Sequence, residues 1–569
     1  MLELIKKKME TVRLHIINDD SFRDFEIGKS LKDVAAEVCP KVTDTKTGIE
    51  FPVIAAIVDH KLKELDYKIV YPEQIEFIGY NHLDGRRTYI RSLCFVLQNS
   101  IRNLFPEKQL IVDYSLPSGL YCYIKDTAVS PEDVKRIKAE MKKIISEDHA
   151  FIKKKVSNEK AVELFTANNQ PEKVKLLKSR GRFMVSVYYL QNQVDTFYGP
   201  LAPSTGQLKY FELLPFGNGF CIQVPGVGEI AEMLTLRTEQ SKIAAALEKH
   251  SEWCRILGIN GVGSLNKFIL DGKAVKLINY AEARHEMEYV EIAEKIYRDR
   301  DRIKFVFIAG PSSSGKTSSS LRLAIHCKVL GLNPKVIELD NYFVNREHTP
   351  KDEKGEYDYE SLYAMDLDFL NGQLNDLLSG KKVEIPKFNF KDGKREFNGN
   401  FMQLEEGDIL IMEGIHALNP AMITSVDNSR IFRVYASALT SLSIDENNNT
   451  STADNRLLRR IIRDNRTRGI NPEESILRWN SVRRGENRNI FPFQENADAI
   501  FNSALIFELP VLKYYAEPLL RRISPNSPAY SEAIRLLKFL DYIVALSPEE
   551  ISAIPPTSII REFIGGQTL

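Results

Sequence analysis

The stretch Gly310-Pro-Ser-Ser-Ser-Gly-Lys-Thr317 follows the apolar run "KFVFIA" and opens a segment of helical spacing. Glycines at its first and sixth positions let backbone N–H groups turn inward around an anion with no Cβ in the way. The helix that starts beyond them adds the positive end of its dipole. In that setting Lys316 reaches the terminal phosphates of a bound nucleotide and the Thr317 hydroxyl offers an oxygen to Mg²⁺. The cradle comprises Gly310, Pro311, Ser312, Ser313, Ser314, Gly315, Lys316, Thr317 and Ser318. Kinases, GTPases and motor ATPases can all share such a loop, so the acceptor has to be read elsewhere in the chain.

Two acids end apolar strands. Glu413 closes "DILIME" and is the candidate partner of Thr317 at the metal. Asp340 ends "VIELD", about 24 residues past Lys316, a length that allows one crossover helix and a return beside the first strand. A carboxylate there either takes the proton from an attacking hydroxyl or serves as a second metal ligand; its position favours the base. The segment "DNRLLRRIIRDNRTRG" has Leu457, Leu458, Ile461 and Ile462 on one helical face and Arg456, Arg459, Arg460 and Arg463 on the other. Arg466 and Arg468 continue the charge toward Gly469, a helix stop. Such forks can stabilise a transferring phosphoryl group from a closing lid, or contact RNA.

The elements that must position these groups belong to a multidomain chain, since 569 residues exceed one core. Residues 1–80 alternate short strands with one helix. Residues 81–225 form a second α+β region, with a helix at "RSLCFVLQNSIRNLF" and strands at "GLYCYI" and "RFMVSVYYL". Residues 226–300 are a helical connector. Residues 301–569 alternate strands ("KFVFIAG", "KVIELD", "DILIMEG", "IFRVYAS", "ALIFEL") with helices, the pattern of an α/β parallel sheet. Lys plus Arg equals Asp plus Glu at 77 each, so no global field points to nucleic acid or membrane. Six scattered cysteines, an N-terminus without an apolar signal core and no membrane-length apolar run make a cytoplasmic enzyme the expectation.

The ordered set G-x-x-x-x-G-K-T, "LDNYF", "PKFNF", "MEGI" and "RRIIRDNRTRG" resembles the uridine–cytidine kinase and phosphoribulokinase superfamily over roughly residues 303–520. That resemblance implies ATP and Mg²⁺ as cofactors and Asp340 as catalytic base. It implies Tyr342 and Phe343 as acceptor-pocket aromatics and Asp358 as the ribose ligand. Arg463 and Arg468 would be catalytic arginines, with Arg463 also touching substrate. Phe388 stands where pyrimidine kinases carry a pocket Tyr, and the region of Gly393 where they carry a His. Both losses remove base-recognising groups, so a nucleoside is the firmer expectation and uridine the weaker one.

Residues 11–80 resemble a TGS domain, and 86–225 the adjoining editing domain of threonyl-tRNA synthetases. The H-S-x-x-H pattern is replaced by Arg91-Ser-Leu-Cys-Phe95, and C-R-G-P-H by Phe197-Tyr-Gly-Pro-Leu201. None of these side chains can bind a metal or move a proton as imidazole or thiolate does, so the scaffold is expected without the deacylase. The leading expectation is a kinase acting on the 5′-hydroxyl of uridine or cytidine. A kinase for another sugar or phosphosugar, and a nucleotide-gated RNA-binding or regulatory protein, are the alternatives. RNA contact by the N-terminal region and homo-oligomerisation are further possibilities.

Overall fold

A computed structural model describes residues 11–44, 47–116, 119–226, 241–351, 355 and 357–569. At the front, strand Thr11–Ile16 pairs antiparallel with Ser21–Glu26 and parallel with Gln74–Ile78, within a five-stranded sheet. Alternation explains the pairing: Val12, Leu14 and Ile16 face inward and meet Leu31 and Val34 of the helix Leu31–Val38. Ser30 caps that helix in a reciprocal box with Asp33.

The second unit packs the long helix Leu83–Leu104 against a four-stranded antiparallel sheet, with a three-stranded sheet beside it. Three helices follow, Ser241–Ile256, Val262–Leu270 and Ala274–Arg298. Residues 227–240, the start of the expected helical connector, lie outside the described residues. The connector is no free spacer. Leu265, Leu277 and Ile292 share one apolar core with Ile308, Leu323 and Leu457 of the last region.

That last region is built on a parallel sheet of five strands in the order Asn333–Glu338, Asp408–Glu413, Phe305–Ala309, Ile431–Ser437, Ala499–Asn502. Of the three inner strands, Phe305–Ala309 and Asp408–Glu413 are buried throughout, as a sheet covered on both faces requires. Two sequence expectations change. Strand Asn333–Glu338 does not return beside Phe305–Ala309; the crossover skips a place that Asp408–Glu413 later fills, putting Glu338, Glu413 and Ile308 level at one edge. The fifth strand is Ala499–Asn502, not "ALIFEL". The Asn502 amide turns back to the Leu439 backbone and ends the strand, and Glu508 begins a helix.

The loop between Ser437 and Thr452 ties this region to the second unit. Lys173, wholly buried, lies 2.9 Å from Asp195 and 3.0 Å from Asp445, and donates to Asn447 Oδ1 at 2.9 Å. Glu446 accepts the Glu172 N–H at 2.8 Å, and its carbonyl accepts the Val112 N–H at 2.8 Å. A buried cation needs carboxylates, and here one comes from each unit.

Candidate phosphoryl-transfer site

The phosphate loop leaves the central strand at Gly310, where a Cβ would run into the Ala436 carbonyl, and enters the helix Lys316–Val329 through Gly315 at φ +83°. Only glycine meets the second requirement without strain. Lys316 Nζ donates to the Pro311 carbonyl at 3.3 Å, folded back over its own loop. Thr317 Oγ1 donates to Glu413 Oε1 at 2.8 Å, so the two expected metal ligands meet. Burial pushes the Glu413 carboxyl up to about 8, helped by Asp340 and opposed by Lys316. Among the described residues no cluster of three acids, histidines or cysteines could cage a metal. One hydroxyl and one carboxylate nonetheless fit Mg²⁺, a hard ion that keeps water and phosphate oxygens as its other ligands.

The arginine helix, Thr452–Thr467, departs from the expected pattern of one greasy and one charged face. Arg456 and Arg459 are 1% and 0% exposed, as buried as Leu457 and Ile461. Arg456 donates to the Ser312 carbonyl at 3.0 Å and forks onto Glu486; Arg459 reaches the Ser313 carbonyl at 3.4 Å and pairs with Glu508. Arg460 donates to Ser312 Oγ at 2.9 Å. Glu486 also accepts the Ser312 N–H at 3.1 Å and an Arg483 N–H at 3.1 Å. The helix is therefore a fixed beam under the loop, because helices 30 and 49 residues further on supply carboxylates to its arginines. Arg463 and Arg468 lie further along; both pair with Asp464, and Arg468 lies over the Phe390 ring at 5.5 Å.

Asp340 sits in the one-turn helix Leu339–Tyr342 that ends its strand, close enough to Glu413 to raise that carboxyl. Tyr342, expected to line the acceptor pocket, is fully buried with its hydroxyl donating to Gln373 at 2.8 Å. It supports the turn from below. Phe343 meets Phe388 edge to face at 5.7 Å, and Phe388 meets Phe390 at 5.2 Å, so the aromatic wall runs from the Asp340 turn toward Arg468. Asp358 faces Arg488 at 3.7 Å.

Sequence reasoning missed Glu360. Its side chain packs on Gly485, where any Cβ would collide with it, and its carbonyl accepts from Asn489 at 2.6 Å. Glu360 Oε2 is buried and makes no hydrogen bond among the described residues. Burial and nearby Glu486 push this carboxyl up to about 7, against the pull of Arg460 and Lys316. The only sequence signal was its position two residues beyond Asp358.

In the second unit, the four positions that depart from the synthetase pattern do converge. Phe95 lies 5.4 Å from Phe197, which also meets Tyr188 at 5.7 Å. Arg91 lies over Tyr198 at 5.2 Å and donates to the Pro200 carbonyl, and Leu201 is 3% exposed. Aromatic rings and one pinned guanidinium fill the space.

Residues 305–506 match the model of the phosphoribulokinase / uridine kinase family. The match to that family covers the C-terminal region, about a third of the chain. Its N-terminal region is similar to threonine–tRNA ligases: 28% identical over 207 residues to that of Syntrophomonas wolfei subsp. wolfei and 27% over 206 residues to that of Desulforamulus reducens. Each match covers 36% of this chain and 31% of the relative, so the chain spans about a third of the length of the curated relatives it matches. Among solved structures, a putative fructose transport system kinase from Silicibacter sp. TM1040 overlaps 37% of this chain and 98% of its own, at 16% identity and a TM-score of 0.27. A possible uridine kinase from Bacillus stearothermophilus overlaps 35% and 88%, at 17% identity and a TM-score of 0.24. Among the described residues no helix is long and apolar enough to cross a membrane.

Proposed function

We propose that the chain is an ATP- and Mg²⁺-dependent kinase that phosphorylates a small hydroxylic acceptor, and that the acceptor is a nucleoside attacked through its 5′-hydroxyl, with uridine or cytidine first in line. The observation that carries this reading is the corner where the phosphate loop, the Thr317–Glu413 contact and the Asp340 turn meet beside the Phe343–Phe388 wall. A pure nucleotide switch has no need of an acid and an aromatic slot on the acceptor side.

In this reading the loop amides and Lys316 hold the donor's phosphates, and Thr317 and Glu413 hold Mg²⁺, which neutralises charge on them. Asp340 accepts the proton of the attacking hydroxyl. Arg463 and Arg468 stabilise charge on the group in transit. Phe343 and Phe388 stack on a flat acceptor without polar discrimination between bases, and Glu360 accepts from an acceptor hydroxyl. The TGS-like and editing-like regions act as a scaffold that fixes the arginine helix through the 438–451 loop.

The test is ADP release from MgATP against a panel of nucleosides, sugars and RNA. Turnover stimulated by one nucleoside supports the reading, and stimulation by RNA alone refutes it. Asp340→Asn is expected to keep ATP affinity while turnover falls by about 10²–10⁴-fold. Near-normal turnover would remove Asp340 from the role of base.

A further inference from the structure

The last residues of the chain lie on the phosphate loop. Ile559 and Phe563 are fully buried, and Ile559 lies so close to Gly315 that a Cβ there would come within 2.5 Å of it. Arg466 of the arginine helix clamps the segment, donating to the Phe563 carbonyl at 3.1 Å and the Glu562 carbonyl at 2.7 Å. Gly565 and Gly566, at φ +98° and +81°, then turn the chain back. The result is a convergence on Ser318, in the first turn of the loop helix. Ser318 Oγ donates to Glu562 Oε2 at 2.5 Å and accepts from Gln567 Nε2 at 2.7 Å. The other Glu562 oxygen faces Arg463 at 4.0 Å.

An anion at the first turn of this helix is what a phosphate loop is built to hold. Glu562 supplies one, and it engages two groups, Ser318 and Arg463, that the kinase reading gives to the nucleotide. A carboxylate and a phosphate cannot share that place, because their charges repel in a site shielded from water. We propose that Glu562 is a built-in competitor for the donor site: its carboxylate holds the phosphate position in the nucleotide-free chain, and the donor displaces it. This rests on the kinase reading only in requiring that the loop bind a nucleotide.

The test uses the full chain and MgADP, which needs no acceptor. Calorimetry compares the wild type with Glu562→Gln, which keeps shape and removes charge while leaving the Ile559 and Phe563 anchors untouched. Affinity is expected to tighten by about tenfold in the variant. The same change at exposed Glu549 controls for net charge and should leave affinity within about twofold. Hydrogen exchange across 561–568 is expected to speed up when MgADP binds the wild type. Unchanged or weaker affinity in Glu562→Gln, or slower exchange in that segment, overturns the proposal, because the tail would then be a wall of the site. MgADP binding to neither protein would overturn the donor-site reading, and the proposal with it.

Discussion

Glu486 offers the sharpest test of the claim that the arginine helix is a fixed beam. Its carboxylate is 0% exposed and holds both terminal guanidinium nitrogens of Arg456, Arg483 and the Ser312 N–H of the phosphate loop. Glu486→Ala leaves Arg456, itself 1% exposed, as an unpaired buried charge. Breaking such a pair costs about 3–5 kcal/mol. The lost Ser312 contact adds about 1 kcal/mol. Replacing both partners by apolar groups of similar size removes the unpaired charge, so Arg456→Met/Glu486→Leu should lose at least about 2 kcal/mol less than the two single changes summed. Trp479 lies over the Arg456 guanidinium at 5.3 Å and reports locally. With Trp253 changed to Phe, urea unfolding followed by Trp479 fluorescence isolates this region. Burial opposes ionisation of Glu486, but Arg456 holds its carboxyl below the ordinary glutamate value. Its stabilising share is therefore present above the unfolded glutamate pKa of about 4.5 and lost as pH falls below that. A cost under about 1 kcal/mol for Glu486→Ala, or single costs that simply add, would refute the reasoning.

Glu413→Gln is expected to trade function for stability. With its carboxyl raised to about 8, Glu413 contributes stability that is complete below pH 4.5 and lost as pH rises toward 8. Without nucleotide, the variant should therefore gain on the wild type between pH 5 and pH 8, by on the order of 1–3 kcal/mol in chemical unfolding, while Mg²⁺-dependent ATP binding falls. A parallel pH dependence in the two proteins would refute this. Lys173→Met strands Asp195 and Asp445 between two units and should cost about 3–5 kcal/mol. It should also split one unfolding transition into two in calorimetry; a single unshifted transition would show that the loop 438–451 does not couple the units.

The sequence by itself determined the local pieces of the site. Gly310, Gly315, Lys316 and Thr317 announce a phosphate cradle through spacing alone, because the loop closes within eight residues and needs no distant partner. Glu413 at the end of an apolar run was legible for the same reason, and so was the helix stop at Gly469, whose φ is +65°. Tertiary structure decided whatever depends on contacts across long separations. Periodicity placed Arg456 and Arg459 on a charged face, but it could not know that Glu486 and Glu508 would bury them, since helical phase records which side a residue faces and not what lies there. Strand order was hidden too: a crossover of fixed length can return to the first neighbouring place or to the second, and the strand ending in Glu413 took the first. Tyr342 went under its turn, where its hydroxyl donates to Gln373, while Phe343 stayed half-buried. The meeting of Ser318 with Glu562, 244 residues later, exists only once the last helix packs on the loop.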